Sequence, residues 1–189
     1  MACDARSEST TIKRHAPGAA LVFVTARAGR GNGCAVAIPE LTDGLLPEGI
    51  HDATLEDVKA AFGVGKARRA ELFAKLEDHA TETRALGLFK YLYVDGSFCT
   101  DKDLPEDIDV VLELHRKEDL TLVIKHAQFS RLFGRASVKS LWKLDLFVQP
   151  PPPSPRPDMV TFFTRLKPRE ILARRLALGT TRGILRVAL

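Results

Sequence analysis

The most regular alternation of apolar and polar positions lies between residues 66 and 86, where Phe73, Leu76, Ala80 and Thr83 recur at three-to-four spacing. That period puts them on one stripe of an α-helix running from Lys66 to Leu86, with Gly87 as its C-terminal cap. A shorter helix precedes it: Thr54, followed three residues later by Asp57, forms a capping-box pattern that opens a helix through Phe62, and Gly63 and Gly65 stop it. Leu45 to His51 reads as a loop.

Downstream the period changes. Leu88 to Val94 is rich in Leu, Phe, Tyr and Val, which suits a buried strand, and it runs into Asp95-Gly96-Ser97. A polar loop through Pro105 leads to a second strand, Asp107 to Leu114. Asp119 is placed to cap a helix carrying Leu120, Val123, Ile124, Ala127 and Phe129 to Leu132, which ends at Gly134. A third strand, Leu141 to Val148, ends where prolines at 150 to 153 cannot donate ladder bonds. Pro150 to Pro157 reads as a stiff extended connector. Met159 to Leu178 is helix-prone up to Gly179, and Ile184 to Leu189 alternates as a final strand. Residues 1–36 show no sustained period and end in a Gly-rich run, so they are expected to form a flexible arm, with Val22-Phe23-Val24 the one candidate strand. Residues 37–189 are then the domain.

Composition narrows the class only a little. The chain has 189 residues, 45% hydrophobic and 28% charged, enough for one domain with a real core. The net charge of +4 is compatible with local nucleotide or RNA binding, but no clustered basic stripe is evident. The basic residues Arg165, Lys167, Arg169, Arg174 and Arg175 read as a solvated helix face. Cys3, Cys34 and Cys99 have neither C-x-x-C nor zinc spacing, which fits a reducing cytoplasm. No apolar run approaches the roughly 18–20 residues needed to cross a bilayer, so no membrane partner is expected. His51, His79, His115 and His126 lack metal-site spacing and read as surface or loop residues.

The chemistry is carried by acids. Asp107 and Asp109, two apart on a strand, project to one side while Ile108 and Val110 pack on the other. Two carboxylates so placed are preset to share a hard divalent cation such as magnesium. Asp145 is an isolated charge among apolar residues on another strand, costly unless paired or metal-bound, and it completes the cluster if the two strands are neighbours. Gly96 lets the backbone approach a phosphate, Ser97 adds a hydroxyl to the same oxygens, and Lys102 in the following loop supplies a point charge.

Gly96-Ser97, then Asp107-Ile108-Asp109-Val110, then a lone Asp145 on a later strand, resembles the signature of the polymerase beta-type nucleotidyltransferase superfamily. The closest likeness is to its small bacterial minimal nucleotidyltransferases of toxin-antitoxin or phage-defence operons. It covers roughly Ile38 to the C terminus. The resemblance implies an α/β (α+β) nucleotidyltransferase fold, a mixed central sheet flanked by helices. It implies two magnesium ions held by Asp107, Asp109 and Asp145, and an NTP whose phosphates rest on Gly96-Ser97. In this chain Phe98, Cys99, Thr100 and Asp101 follow the serine, where many members carry an arginine, and Lys102 is the nearest base.

The expected activity is magnesium-dependent transfer of a nucleoside monophosphate from NTP to a hydroxyl or phosphate of a macromolecule, a tRNA end or a side chain of an operon partner protein. The alternatives are a non-catalytic antitoxin-like interaction module and transfer to a small molecule.

Overall fold

The computed structural model describes residues 38–155 and 157–189, so the arm expected over residues 1–36, with its Val22–Val24 stretch, lies outside the described residues. The elements run β1 (Ile50–Asp52), α1 (Leu55–Phe62), α2 (Ala67–Arg84), β2 (Phe89–Asp95), a 3₁₀ turn (Ser97–Cys99), β3 (Ile108–Leu114) and α3 (Asp119–Lys125). They continue with α4 (Phe129–Leu132), α5 (Arg135–Trp142), β4 (Leu144–Gln149), α6 (Met159–Thr164), α7 (Pro168–Arg174) and β5 (Ile184–Ala188).

The five strands form one mixed sheet in the order β1-β5-β2-β3-β4. The two central pairings, β2 with β3 and β2 with β5, are antiparallel, while β3 with β4 and β1 with β5 are parallel. Strand alternation then sorts the side chains. Leu92, Val94, Ile108, Val110, Leu112, Leu144, Leu146, Leu185 and Val187 enter the main core, with Val58, Leu72, Phe73, Leu76 and Val138 from α1, α2 and α5. The other face carries Tyr93, Val111 and Ile184, covered by Val160 and Phe163 of α6. The protein is therefore a mixed α/β domain with helices flanking the sheet. No helix among the described residues is long and apolar enough to cross a membrane.

The capping box is present: the Thr54 hydroxyl accepts the Asp57 N–H at 3.1 Å and the Asp57 carboxylate accepts the Thr54 N–H at 2.9 Å. Other expectations are corrected. Residue 119 does not cap: Glu118 holds the N-cap position, and the buried Asp119 carboxylate accepts the Arg116 backbone N–H at 3.2 Å and its guanidinium at 3.1 Å. The single helix expected to reach Gly134 breaks at His126, whose backbone turns extended, into α3 and α4. Helix α5 then occupies the residues where the third strand was expected to begin, and Lys143, at φ 57°, turns the chain into β4. Val138, Leu141 and Trp142 stand at helical spacing, but Leu141 and Trp142 run on into the apolar residues of β4 and so read as its start; Val138 alone is buried, and Trp142 meets the His79 ring edge-on at 5.6 Å. The helix expected from Met159 to Leu178 splits because Pro168 cannot donate to the preceding turn, and it becomes the first residue of α7. The expected loop from Leu45 to His51 hides the start of β1, a three-residue edge strand that exists only by pairing with β5.

His79 is a core residue, not a surface one. It is fully buried on α2, its Nε2 lies 2.9 Å from the Leu132 carbonyl oxygen, and burial lowers its pKa.

Candidate functional site

The site begins with register. Asp95, Asp109 and Asp145 are Cα partners across β2, β3 and β4, at the end of β2 and near the starts of the other two strands. Partners in register share a face, so all three lie opposite the apolar core, at one end of the sheet. Asp107 sits one residue before β3 and joins them: Lys139 Nζ lies 2.9 Å from Asp107 and 3.8 Å from Asp145. Arg135 adds a forked pair to Asp145, at 2.9 and 3.2 Å. Both cations project from α5, the helix that the sequence pattern did not announce.

A cleft of about 570 Å³ gathers Ser97, Lys102, Asp107, Asp109 and Asp145. Five of the six expected site residues thus line one cavity. Gly96 serves them differently. At φ +86° it occupies a conformation that favours glycine, and a Cβ there would lie 2.3 Å from Asp109 Oδ2. The missing side chain is what gives the Asp109 carboxylate its seat.

Asp109 has no ion pair or side-chain hydrogen bond among the described residues. Burial first, then the charge of Asp107, push its carboxyl up to about 6. Asp95 is more deeply enclosed, and burial drives it to about 7 despite two Arg182 nitrogens at 3.1 and 3.2 Å. Its Oδ1 is buried with no hydrogen-bond partner among the described residues. Among the described residues no three carboxylate, imidazole or thiol groups converge as a closed metal-ligand set, since Asp107 and Asp145 are turned to Lys139 and Arg135. The donors nevertheless suit a hard cation: they are carboxylate oxygens on neighbouring strands, and an ammonium already bridges two of them.

The turn after β2 is pinned from behind by Arg69 of α2. Its buried guanidinium donates to the carbonyl oxygens of Phe98 and Thr100, each at 2.7 Å, and of Lys102 at 2.5 Å. Cys99 in that turn is fully buried, which pushes its thiol pKa well up and leaves it inert.

The same cleft also carries bases. Arg165, Lys167 and Arg169 line the cleft from the segment joining α6 to α7 and the start of α7, and with Lys102 they form no ion pair among the described residues. All three are exposed, as the solvated reading expected, and that they share a cleft with the carboxylates is a tertiary fact. Of the same basic group, Arg174 pairs instead with Asp101 at 2.7 Å. Beside the acids a second hollow of about 420 Å³ is walled by Phe147, Phe162 and Phe163, and it shares Asp109, Asp145, Arg165, Lys167 and Arg182 with the first.

These features define a mixed α/β domain with an acidic, basic-walled cleft at one end of its sheet. The chain belongs to a family of unknown function (DUF6932), which it matches over residues 39–188. No curated protein and no solved structure is significantly similar to it.

Proposed function

We propose that the cleft is a magnesium-dependent nucleotidyltransferase site, and that the domain has the corresponding fold. The observation that carries this reading is that one cavity gathers Asp107, Asp109 and Asp145 with four cations that form no ion pair among the described residues, Lys102, Arg165, Lys167 and Arg169. A metal–triphosphate needs both: carboxylates for the cation and a basic surface for phosphate oxygens that the cation leaves uncompensated. Asp107, Asp109 and Asp145 would hold the magnesium, two ions by the likeness to the superfamily. When bound, it supplies charge neutralisation at the phosphates and acidifies the acceptor hydroxyl. Ser97 offers a hydroxyl to the donor phosphates, and Lys102 offers a charge. Lys139 and Arg135 neutralise the acids while the site is empty and are free to turn to phosphate when the acids take a cation. The acceptor is a hydroxyl or phosphate of a macromolecule, a tRNA end or a partner protein encoded nearby, as in toxin-antitoxin or defence systems.

The test is incubation of the chain with each labelled NTP, magnesium, total RNA and cell lysate. Label is expected in one acceptor fraction, and Asp109→Asn lowers it by about 100-fold or more, as for loss of a group that stabilises transition-state charge. Undiminished transfer by that variant defeats the mechanism. A second reading, a non-catalytic antitoxin-like module, draws on the same ion pairs, since Lys139 and Arg135 satisfy Asp107 and Asp145 without metal. Folded chain that binds no NTP in magnesium and transfers no label selects it.

A further inference from the structure

A third cavity lies on the same sheet face and shares no lining residue with the acidic cleft. Its volume is about 360 Å³, at the small end of ligand-sized sites. The chain reaches it through alternation: Glu113 and Gln149, partners across β3 and β4, stand four residues beyond Asp109 and Asp145, roughly 13 Å along the strands. Tyr93 of β2 completes the floor, and Pro150, Pro152, Pro153 and Pro157 fold over it as an apolar roof.

The polarity of the floor is one-sided. Glu113 is 6% exposed and has no cationic partner among the described residues. Its Oε2 accepts the Tyr93 hydroxyl at 3.2 Å and the Gln149 amide at 3.5 Å, while Oε1 receives no hydrogen bond among the described residues. Gln149 cannot turn its amide elsewhere, because its Oε1 is held by the Met159 backbone N–H at 3.0 Å. The nearby Arg186 pairs with Asp52 at 2.6 and 2.9 Å and also reaches the Tyr93 hydroxyl, without lining the cavity. A second lining carboxylate, Asp158, is occupied by the Val160 N–H at 3.0 Å and the Thr161 hydroxyl at 2.6 Å. What the floor offers the cavity is therefore a buried carboxylate oxygen, an acceptor, within hydrocarbon walls.

We propose that this pocket binds a small organic cation: a protonated aliphatic amine whose ammonium meets Glu113 and whose carbon chain lies along the prolines. A buried carboxylate with no counter-charge among the described residues is costly, and an ammonium offsets that cost, whereas an anion meets two carboxylates and a neutral diol leaves the charge uncompensated. The site does not depend on the nucleotidyltransferase reading.

The experiment is a titration of the full chain, followed by calorimetry and by chemical-shift mapping, with 1,4-diaminobutane, 1,4-butanediol and succinate as probes. The diamine is expected to bind with Kd at or below about 1 mM. Its shifts centre on Tyr93, Glu113 and Gln149, and the diol and succinate do not bind. Glu113→Gln weakens the diamine by about tenfold or more. Because that residue is buried, Tyr93→Phe serves as a milder variant that keeps the ring and lowers affinity a few-fold. No diamine binding up to about 10 mM overturns the proposal. So do shifts confined to Asp107, Asp109 and Asp145, or unchanged affinity in a folded Glu113→Gln or Tyr93→Phe chain.

Discussion

The two faces of the sheet are built from the same strands and behave as different materials. On the face toward α1, α2 and α5, every inward position of β3 is apolar and at most 1% exposed: Ile108, Val110, Leu112 and Leu114. On the other face the same strand offers Asp109, Val111 and Glu113, with Asp95, Asp145 and Gln149 beside them. A period of two thus lets one strand hold the fold with alternate residues and carry the chemistry with the rest. The core face supplies rigidity, and the other face spends some of the resulting stability on buried charge.

The sharpest way to break this comparison is to injure each face once and vary pH. Arg182→Met removes the counter-ion of Asp95 and is expected to cost about 3–5 kcal/mol at pH 8, measured by urea unfolding. The loss shrinks toward pH 5, where Asp95, already pushed to about 7 and higher still without Arg182, is protonated in the folded chain. Adding Asp95→Asn should restore most of the stability. Leu112→Ala on the core face costs about 2–5 kcal/mol with no such pH dependence. Equal pH profiles for the two variants would erase the distinction between the faces.

Gly96→Ala tests the seat of Asp109. It pays the left-handed strain of about 1–2 kcal/mol and drives a methyl group into the carboxylate, so both thermal stability and label transfer fall. Retained transfer would show that the seat does not matter.

Asp109→Asn goes the opposite way. The folded pKa of Asp109, about 6, lies above its ordinary 3.8, so the folded chain binds the proton more tightly than the unfolded one. That group's contribution is fully present below about pH 4 and is lost as pH rises through about 6. The variant is therefore expected to match the parent near pH 4 and to exceed it at pH 8 by about 1 kcal/mol or more, roughly 2–4 °C in a melting scan. A variant less stable at pH 8 would refute the electrostatic account. The smallest effects belong to the turn. Ser97→Ala should weaken magnesium–NTP binding by about 1 kcal/mol and Lys102→Ala by somewhat more, by calorimetry, with melting unchanged.

Much of the scaffold was legible in the chain. The period along α2, the capping box at Thr54 and Asp57, and the apolar text of β2, β3 and β4 are local signals, written by residues three, four or two apart. The acids stood out for local reasons as well: Asp107 and Asp109 because a spacing of two puts both on one side of a strand, and Asp145 because an isolated charge among apolar residues is costly. Strand β1 left a weaker trace, since it is held by pairing with β5, and helix α5 was hidden because its last apolar residues run on into those of β4.

What the sequence determined by itself is the alternation that divides each strand into a packing side and a polar side, and with it the candidate acids. Tertiary structure decided which acids meet. Asp95 looked like the end of a strand until register set it beside Asp109, and Arg182, 87 residues away, became its counter-ion. Lys139 and Arg135 closed over Asp107 and Asp145 only because α5 packs against β4, and the bases between α6 and α7 share the acids' cleft only through the tertiary fold. Spacing along a strand fixes direction over a few residues, while distances between strands are set by register and by the packing of helices that no local pattern encodes.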